Sequence, residues 1–185
     1  MNLFLLRHTK VGIPPGICYG QADVSLAASF HNDKYEVQRE LEGMQFDAIF
    51  SSPLMRCRAL AEFIVHDNTV DYDSRLMELN FGMWERKDWN EISKTCHAQR
   101  WFDEYLDMEC PGGESYAQLL ARVASFLNDL KEKPFDNVLI VTHGGVIRSI
   151  NCILNKITPH KAFELNVDYG SILKLEMSTS VQVEI

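Results

Sequence analysis

Apolar residues recur along this chain with two different periods. Short continuous apolar runs at residues 2–6 and 137–142 read as strands buried on both faces, as in a parallel sheet covered by helices. Residues 47–51, 70–76 and 171–177 read as three further strands. Elsewhere the apolar positions fall three and four apart. Phe30, Val37, Leu41 and Met44 mark one helix that ends near Gly43. Leu54, Cys57, Leu60, Ala61 and Ile64 mark a second, with Ser51, Ser52 and Pro53 read as its hydroxyl cap and proline start. Residues 88–106 read as helical pieces carrying Trp89, Ile92, Trp101, Phe102, Tyr105 and Leu106. Pro111-Gly112-Gly113 breaks the chain before a long helix striped by Tyr116, Leu119, Leu120, Val123, Phe126, Leu127 and Leu130, where Ser115 and Gln118 have capping-box spacing. Val146, Ile147, Ile150, Ile153 and Leu154 make a last stripe after His143-Gly144-Gly145. Strands alternating with helices predict an α/β fold, a three-layer αβα sandwich around a mostly parallel central sheet.

The 185 residues suffice for one domain with a sizeable core, and 46% hydrophobic with 24% charged residues exclude a disordered chain. There is no repeat or linker, and no apolar run approaches the ~20 residues of a membrane-spanning helix. The opening apolar stretch meets Arg7 at once and has no basic leader, so a cytoplasmic protein is expected. A net charge of -8 argues against nucleic-acid partners, and an anionic substrate then needs a local cluster of positive charge. The five cysteines, Cys18, Cys57, Cys96, Cys110 and Cys152, show no CxxC pair and read as reduced thiols rather than metal ligands or disulfides.

Ligands of open parallel sheets bind beyond the carboxyl ends of the strands. Three expected strands run there into polar residues: Arg7-His8-Thr9, Ser51-Ser52 with Arg56 a turn on, and Thr142-His143-Gly144-Gly145. Two histidines and two arginines on one rim suit a phosphoryl group. Guanidinium forks match phosphate oxygens, and a histidine attacks phosphorus when its other ring nitrogen is held by a backbone acceptor. Helix starts after Ser52 and Gly144 are expected to add amide donors.

Leu6-Arg7-His8-Thr9, Ser51-Ser52-Pro53-Leu54-Met55-Arg56, Leu76-Met77-Glu78-Leu79-Asn80-Phe81-Gly82, Pro111-Gly112-Gly113-Glu114-Ser115 and Val141-Thr142-His143-Gly144-Gly145 together resemble the histidine phosphatase superfamily, the phosphoglycerate mutase-like proteins. The blocks run in that family's order over almost the whole chain. The resemblance implies a metal-independent phosphomonoesterase without a cofactor, acting on a small phosphate ester. By it, His8 is the nucleophile that becomes phosphohistidine, Arg7, Arg56 and His143 hold the phosphoryl oxygens, and Glu78 passes a proton to the leaving group and then activates water. Thr9 stands where most members have glycine, and its hydroxyl is a further candidate phosphate contact with Gly144 and Gln21. The loop of residues 10–20 has no match for an asparagine common in the family, and Leu60 stands where threonine is common.

Residues 16–23 further resemble the alpha-ribazole phosphatase branch, so alpha-ribazole 5′-phosphate, in cobalamin synthesis, is the expected substrate. A broad sugar-phosphate or nucleotide phosphatase, a phosphoglycerate-type mutase and a phosphoprotein phosphatase are the alternatives. Residues 84–110 are expected to form a cap over the site of a single domain spanning 1–185. Their aromatics Trp84, Trp89 and Trp101 serve either to pack that segment or to stack on a substrate base. Tyr19 and Gln21 lie on the first loop as candidate selectivity residues. Glu85 is expected as a structural partner, Glu114 and Ser115 as loop and cap, and Arg58, His31, His66, His97 and His160 at the surface. Oligomeric state is left open.

Overall fold

The computed structural model describes residues 1–65 and 69–178; His66 lies outside them. Five strands form one sheet in the order β3-β2-β4-β1-β5: β1 (Asn2–Arg7), β2 (Ala48–Ser51), β3 (Val70–Tyr72), β4 (Asn137–Thr142) and β5 (Ile172–Glu176). All pairings are parallel except β1 with β5, which is antiparallel. The expected αβα sandwich is therefore what the chain forms. The third strand is shorter than residues 70–76, because Asp73 accepts the Arg75 amide and turns Ser74–Leu76 into a 3₁₀ turn.

Alternation along the central strands explains the layers. Leu3 and Leu5 of β1 and Val138 and Ile140 of β4 belong to one core, and Leu6, Leu139 and Val141 belong to the other. Both faces are apolar, so each side must be covered. Helices α1 (Phe30–Glu40) and α2 (Met55–Ile64) cover one face through Val37, Cys57, Leu60 and Ala61. Leu60 is thus a core residue, completely buried. The other face is covered by α5 (Tyr116–Lys131) and α6 (Gly144–Asn155). Helices α3 (Trp89–Ile92) and α4 (Cys96–Glu104) carry the aromatic segment, and α7 (Pro159–Phe163) follows α6.

The aromatics of residues 84–110 mostly pack. Trp84 and Trp101 are buried and continue the α5/α6 core, with their rings 5.4 Å apart edge to face. Helix α5 starts on the expected capping box: the Ser115 hydroxyl accepts the Gln118 amide, and the Gln118 side chain accepts the Ser115 amide. His31, His97 and His160 are exposed as expected. Arg58 is also exposed and pairs with Glu62 one turn away. Replacing Ser115 with alanine removes a buried cap, and urea unfolding will show a loss of about 1 kcal/mol.

Candidate active site

The sheet's register places the central groups. Arg7 pairs with Thr142 across β1 and β4, and Ser51 pairs with Val141 across β2 and β4. The chain leaves these strands at neighbouring levels, which brings His8, His143 and Ser52 side by side. The His8 amide donates to the Thr142 carbonyl and the Ser52 amide to that of Val141, each at 3.0 Å. The two imidazoles meet edge to face with centroids 5.1 Å apart. Ser52 Oγ lies 2.8 Å from His143 Nε2.

Ser52 is therefore a partner of His143 rather than the expected helix cap. The residue at the cap of α2 is Leu54, with no side-chain cap bond. Two amides at the start of α2 are already taken by the protein itself. Leu54 N–H donates to Ser52 Oγ, and Met55 N–H to Asp23 Oδ1 at 2.9 Å.

His8 is buried, with Nδ1 2.7 Å from the Thr9 carbonyl oxygen. A carbonyl only accepts, so Nδ1 carries the proton and Nε2 keeps its lone pair. Burial, then the charge of Arg56 and that of Arg7, hold its pKa well below the ordinary histidine value, against the Thr9 bond. His143 is lowered likewise, by burial first, then Arg56 and His8. Both rings are neutral at neutral pH.

Backbone carbonyls aim the arginines. Arg56 is fully buried and donates to the carbonyls of Gly20 at 2.5 Å and Ala22 at 3.1 Å. Arg7 donates to the Val167 carbonyl and lies 3.9 Å from the Tyr169 ring centre. Among the described residues, four buried side-chain atoms lack a hydrogen-bond partner, and three belong to the rim: Arg7 Nε, Arg56 Nε and Thr9 Oγ1. A buried donor without a partner costs about 1–3 kcal/mol, so this grouping suits an anion with several acceptor oxygens.

Glu78 enters from the loop after β3. Its carboxylate accepts the amides of Leu79 and Gly145, each at 3.0 Å. A β-carbon on Gly145 would push the Glu78 carboxylate aside, so glycine here lets the carboxylate keep this place. The Glu78 carbonyl accepts from Arg122 at 2.9 Å and from the Gln21 side chain at 3.1 Å. Arg122 also pairs with Glu114 and holds the carbonyls of Arg75 and Met77, which fixes this loop to α5. Gln21 thus supports the Glu78 backbone with the amide that was expected to be a selectivity contact. Glu85 is the expected structural partner, accepting the amides of Gln21, Ala22 and Phe81.

Tyr169 and Arg148 are rim residues that no motif announced. The Tyr169 hydroxyl bonds that of Tyr19 at 2.6 Å, and its ring lies 5.5 Å from His8. It sits in an irregular stretch without periodicity. Arg148 had a readable signal, since it stands one helical turn after Gly144 on α6. A cavity of about 150 Å³ opens beside Glu78, walled mainly by Phe81, Trp101, Tyr105, Tyr116 and Phe163. A larger groove of about 670 Å³ between the ends of α1 and α2 holds none of the rim residues. Among the described residues, no group of three His, Cys, Asp or Glu side chains is placed to hold a metal ion.

The depressed histidines set the acid side of stability. A histidine whose folded-state pKa is lowered binds its proton in the unfolded chain first, so stability is complete above about 6.5 and declines as the pH falls from there toward the folded-state value. Urea unfolding will show a plateau above that pH and a decline below it, shallower in His8→Gln. An identical acid limb in the variant contradicts the assignment.

Comparison with known proteins agrees with this geometry. Phosphoserine phosphatase 1 of Hydrogenobacter thermophilus is 27% identical over 183 residues, covering 96% of this chain and 87% of that protein. The adenosylcobalamin/alpha-ribazole phosphatase of Escherichia coli K12 is 26% identical over 177 residues, covering 92% and 87%. The crystal structure of the alpha-ribazole phosphatase from Shigella flexneri superposes with a TM-score of 0.89 at 23% identity over the whole of both chains, a likeness of fold. The family model of the histidine phosphatase superfamily, branch 1, matches residues 3–183. With that match over nearly its full length, the chain belongs to the histidine phosphatase superfamily and is a phosphatase.

Proposed function

We propose that the protein is a metal-independent phosphomonoesterase in which His8 carries the phosphoryl group between a small ester and water. The carrying observation is the bond from His8 Nδ1 to the Thr9 carbonyl, which leaves Nε2 a free lone pair on a neutral ring. Nε2 attacks phosphorus, the P–O bond to the alcohol breaks, and Glu78 gives that oxygen its proton. Water then attacks the phosphohistidine, Glu78 takes the water's proton, and His8 leaves with its lone pair restored. Arg7, Arg56 and His143 meet the equatorial oxygens, whose charge is what the protein must stabilise. Thr9 Oγ1 and the start of α6 at Gly144 add donors on the same side.

Residues 84–110 act in this reading as a wall over the leaving group, since Trp101 and Tyr105 line the cavity next to Glu78. Five unpaired cysteines, four of them buried, suit work in the cytoplasm. The names of the relatives supply two finer candidates. Alpha-ribazole 5′-phosphate rests on one relative and on the resemblance of residues 16–23. In this chain that stretch has structural work: Gly20 and Ala22 hold Arg56, and Asp23 accepts the Met55 amide. Phosphoserine, from the other relative, is the second candidate, and the size of the cavity favours so compact an alcohol.

Phosphate release from a panel, with EDTA present, tests the proposal. The panel holds phosphoserine, alpha-ribazole 5′-phosphate, nucleoside monophosphates, sugar phosphates, a phosphoserine peptide and 3-phosphoglycerate. Turnover of one small ester without added metal, and none above background in His8→Ala, is the expected result. Glu78→Gln will lower kcat about 100-fold or more on an alkyl ester and far less on p-nitrophenyl phosphate, whose leaving group needs no proton. Isomerised phosphoglycerate without released phosphate overturns hydrolysis.

A further inference from the structure

The reactive groups of the rim lie beneath the surface. His8 is 2% exposed, and Arg56 and His143 are completely buried. A phosphorus atom that reacts with His8 Nε2 must come within about 3–3.5 Å of it, so a group above the rim has to move first. Two tyrosines form the outer layer there. The Tyr169 ring centre lies 5.5 Å from that of His8 and 3.9 Å from the Arg7 guanidinium carbon, yet this tyrosine is itself 39% exposed. The Tyr19 ring centre lies 5.2 Å from the Arg56 guanidinium carbon. Each of the two arginines thus has a tyrosine against it. The hydroxyls of the two tyrosines meet at 2.6 Å, and that bond joins loops 150 residues apart in the chain.

The backbone on both sides of each ring is anchored. Before Tyr19, the Cys18 amide donates to the Lys87 carbonyl and the Cys18 carbonyl accepts the Arg86 amide. After it, Gly20 packs so closely on the Leu79 carbonyl that a β-carbon has no room, and its own carbonyl holds Arg56. Before Tyr169, the Val167 carbonyl holds Arg7, and after it the Gly170 amide donates to the carbonyls of Arg7 and His8. The side chains are therefore the parts that can swing at low cost. Rotation of an outer side chain takes picoseconds to nanoseconds, and here the hydroxyl bond opposes it. Burial first, and then the Tyr169 bond, push the Tyr19 phenol up, so its hydroxyl keeps its proton and the bond is intact at neutral pH.

We propose that Tyr19 and Tyr169 form a clasp over the phosphoryl site, and that their hydroxyl bond must open before a phosphate ester or inorganic phosphate reaches His8. This rests on the phosphatase reading above and adds an entry step to it. Closed, the two rings lie against the guanidinium groups, a contact that itself favours the cations. Open, they uncover His8 and the arginine donors. A ligand that binds only the open arrangement has its affinity reduced by the open fraction. Loss of either hydroxyl removes the same bond, raises that fraction and tightens binding.

Diethyl pyrocarbonate, which acylates accessible neutral imidazoles, reports the opening when peptide mass spectrometry follows His8 beside the exposed His31 and His160. In the wild-type protein His8 is expected to react about tenfold or more slowly than either. In Tyr19→Phe and in Tyr169→Phe, which keep the rings, it is expected to react about three- to tenfold faster than in wild type, the worth of one hydrogen bond. The double variant is expected to react no faster than the single ones, since all three lack the same bond. Inorganic phosphate, titrated by calorimetry, is expected to bind each variant more tightly by the same factor, because one opening equilibrium governs both readouts. A wild-type His8 that reacts as fast as His31 overturns the proposal whether or not the variants fold. So do wild-type labelling rates in both single variants, and so does weaker phosphate binding by them, which marks the hydroxyls as ligands of the anion. Neither readout needs turnover, so release of phosphate from no ester at all, p-nitrophenyl phosphate included, is a separate result that defeats the phosphatase reading itself.

Discussion

The parallel register of β1, β4 and β2 is the constraint on which the site depends. It pairs Arg7 with Thr142 and Val141 with Ser51, so the next residues of three strands emerge together. His8, His143 and Ser52 need no long-range adjustment to meet, because the ladder has already fixed their spacing. The surrounding loops then aim the charges. Gly20, Ala22 and Val167 lend carbonyls to Arg56 and Arg7, and Arg122 with Gln21 holds the backbone of Glu78. Arg56 and Arg7 are thus aimed by neutral carbonyls, so these cations stay free to meet a charged ligand. Ion pairs within the rim would have spent that capacity on the protein itself.

Electrostatics and burial act on the histidines in the same direction. A ring that is buried among guanidinium groups resists protonation, and a neutral imidazole with its Nδ1 proton tied down is the nucleophilic form. The same cluster of guanidinium groups that suits an anion therefore also keeps the His8 ring unprotonated near neutral pH. It has a consequence for folding, since protons favour the unfolded chain.

The fold and the rim were legible because they rest on local pattern. Doubly apolar strands such as residues 137–142 announce a covered parallel sheet, and the strand-end rule then collects Arg7, His8, Arg56 and His143. Capping at Ser115 was legible for the same reason, since both partners lie within four residues. What escaped depends on tertiary contacts. Ser52 reads as a cap in sequence, but the sheet register delivers its hydroxyl to His143 first. Gln21 reads as a loop amide facing substrate, and the fold turns it onto the Glu78 carbonyl. Tyr169 lies in a stretch with no period at all, and only the crossing of the chain past β1 sets its ring on Arg7. The tryptophans were open between packing and stacking, and the core continuing through Trp84 and Trp101 explains most of them.

The proposed reaction turns on His8 as the covalent carrier of the phosphoryl group. Rapid mixing with substrate, followed by quenching in alkali and peptide mass spectrometry, measures it most directly. The expected result is a phosphoryl adduct on His8 Nε2 that survives alkali, is lost in acid and forms and decays within one turnover. Phosphate release with no adduct, or with the adduct on another residue, would contradict it.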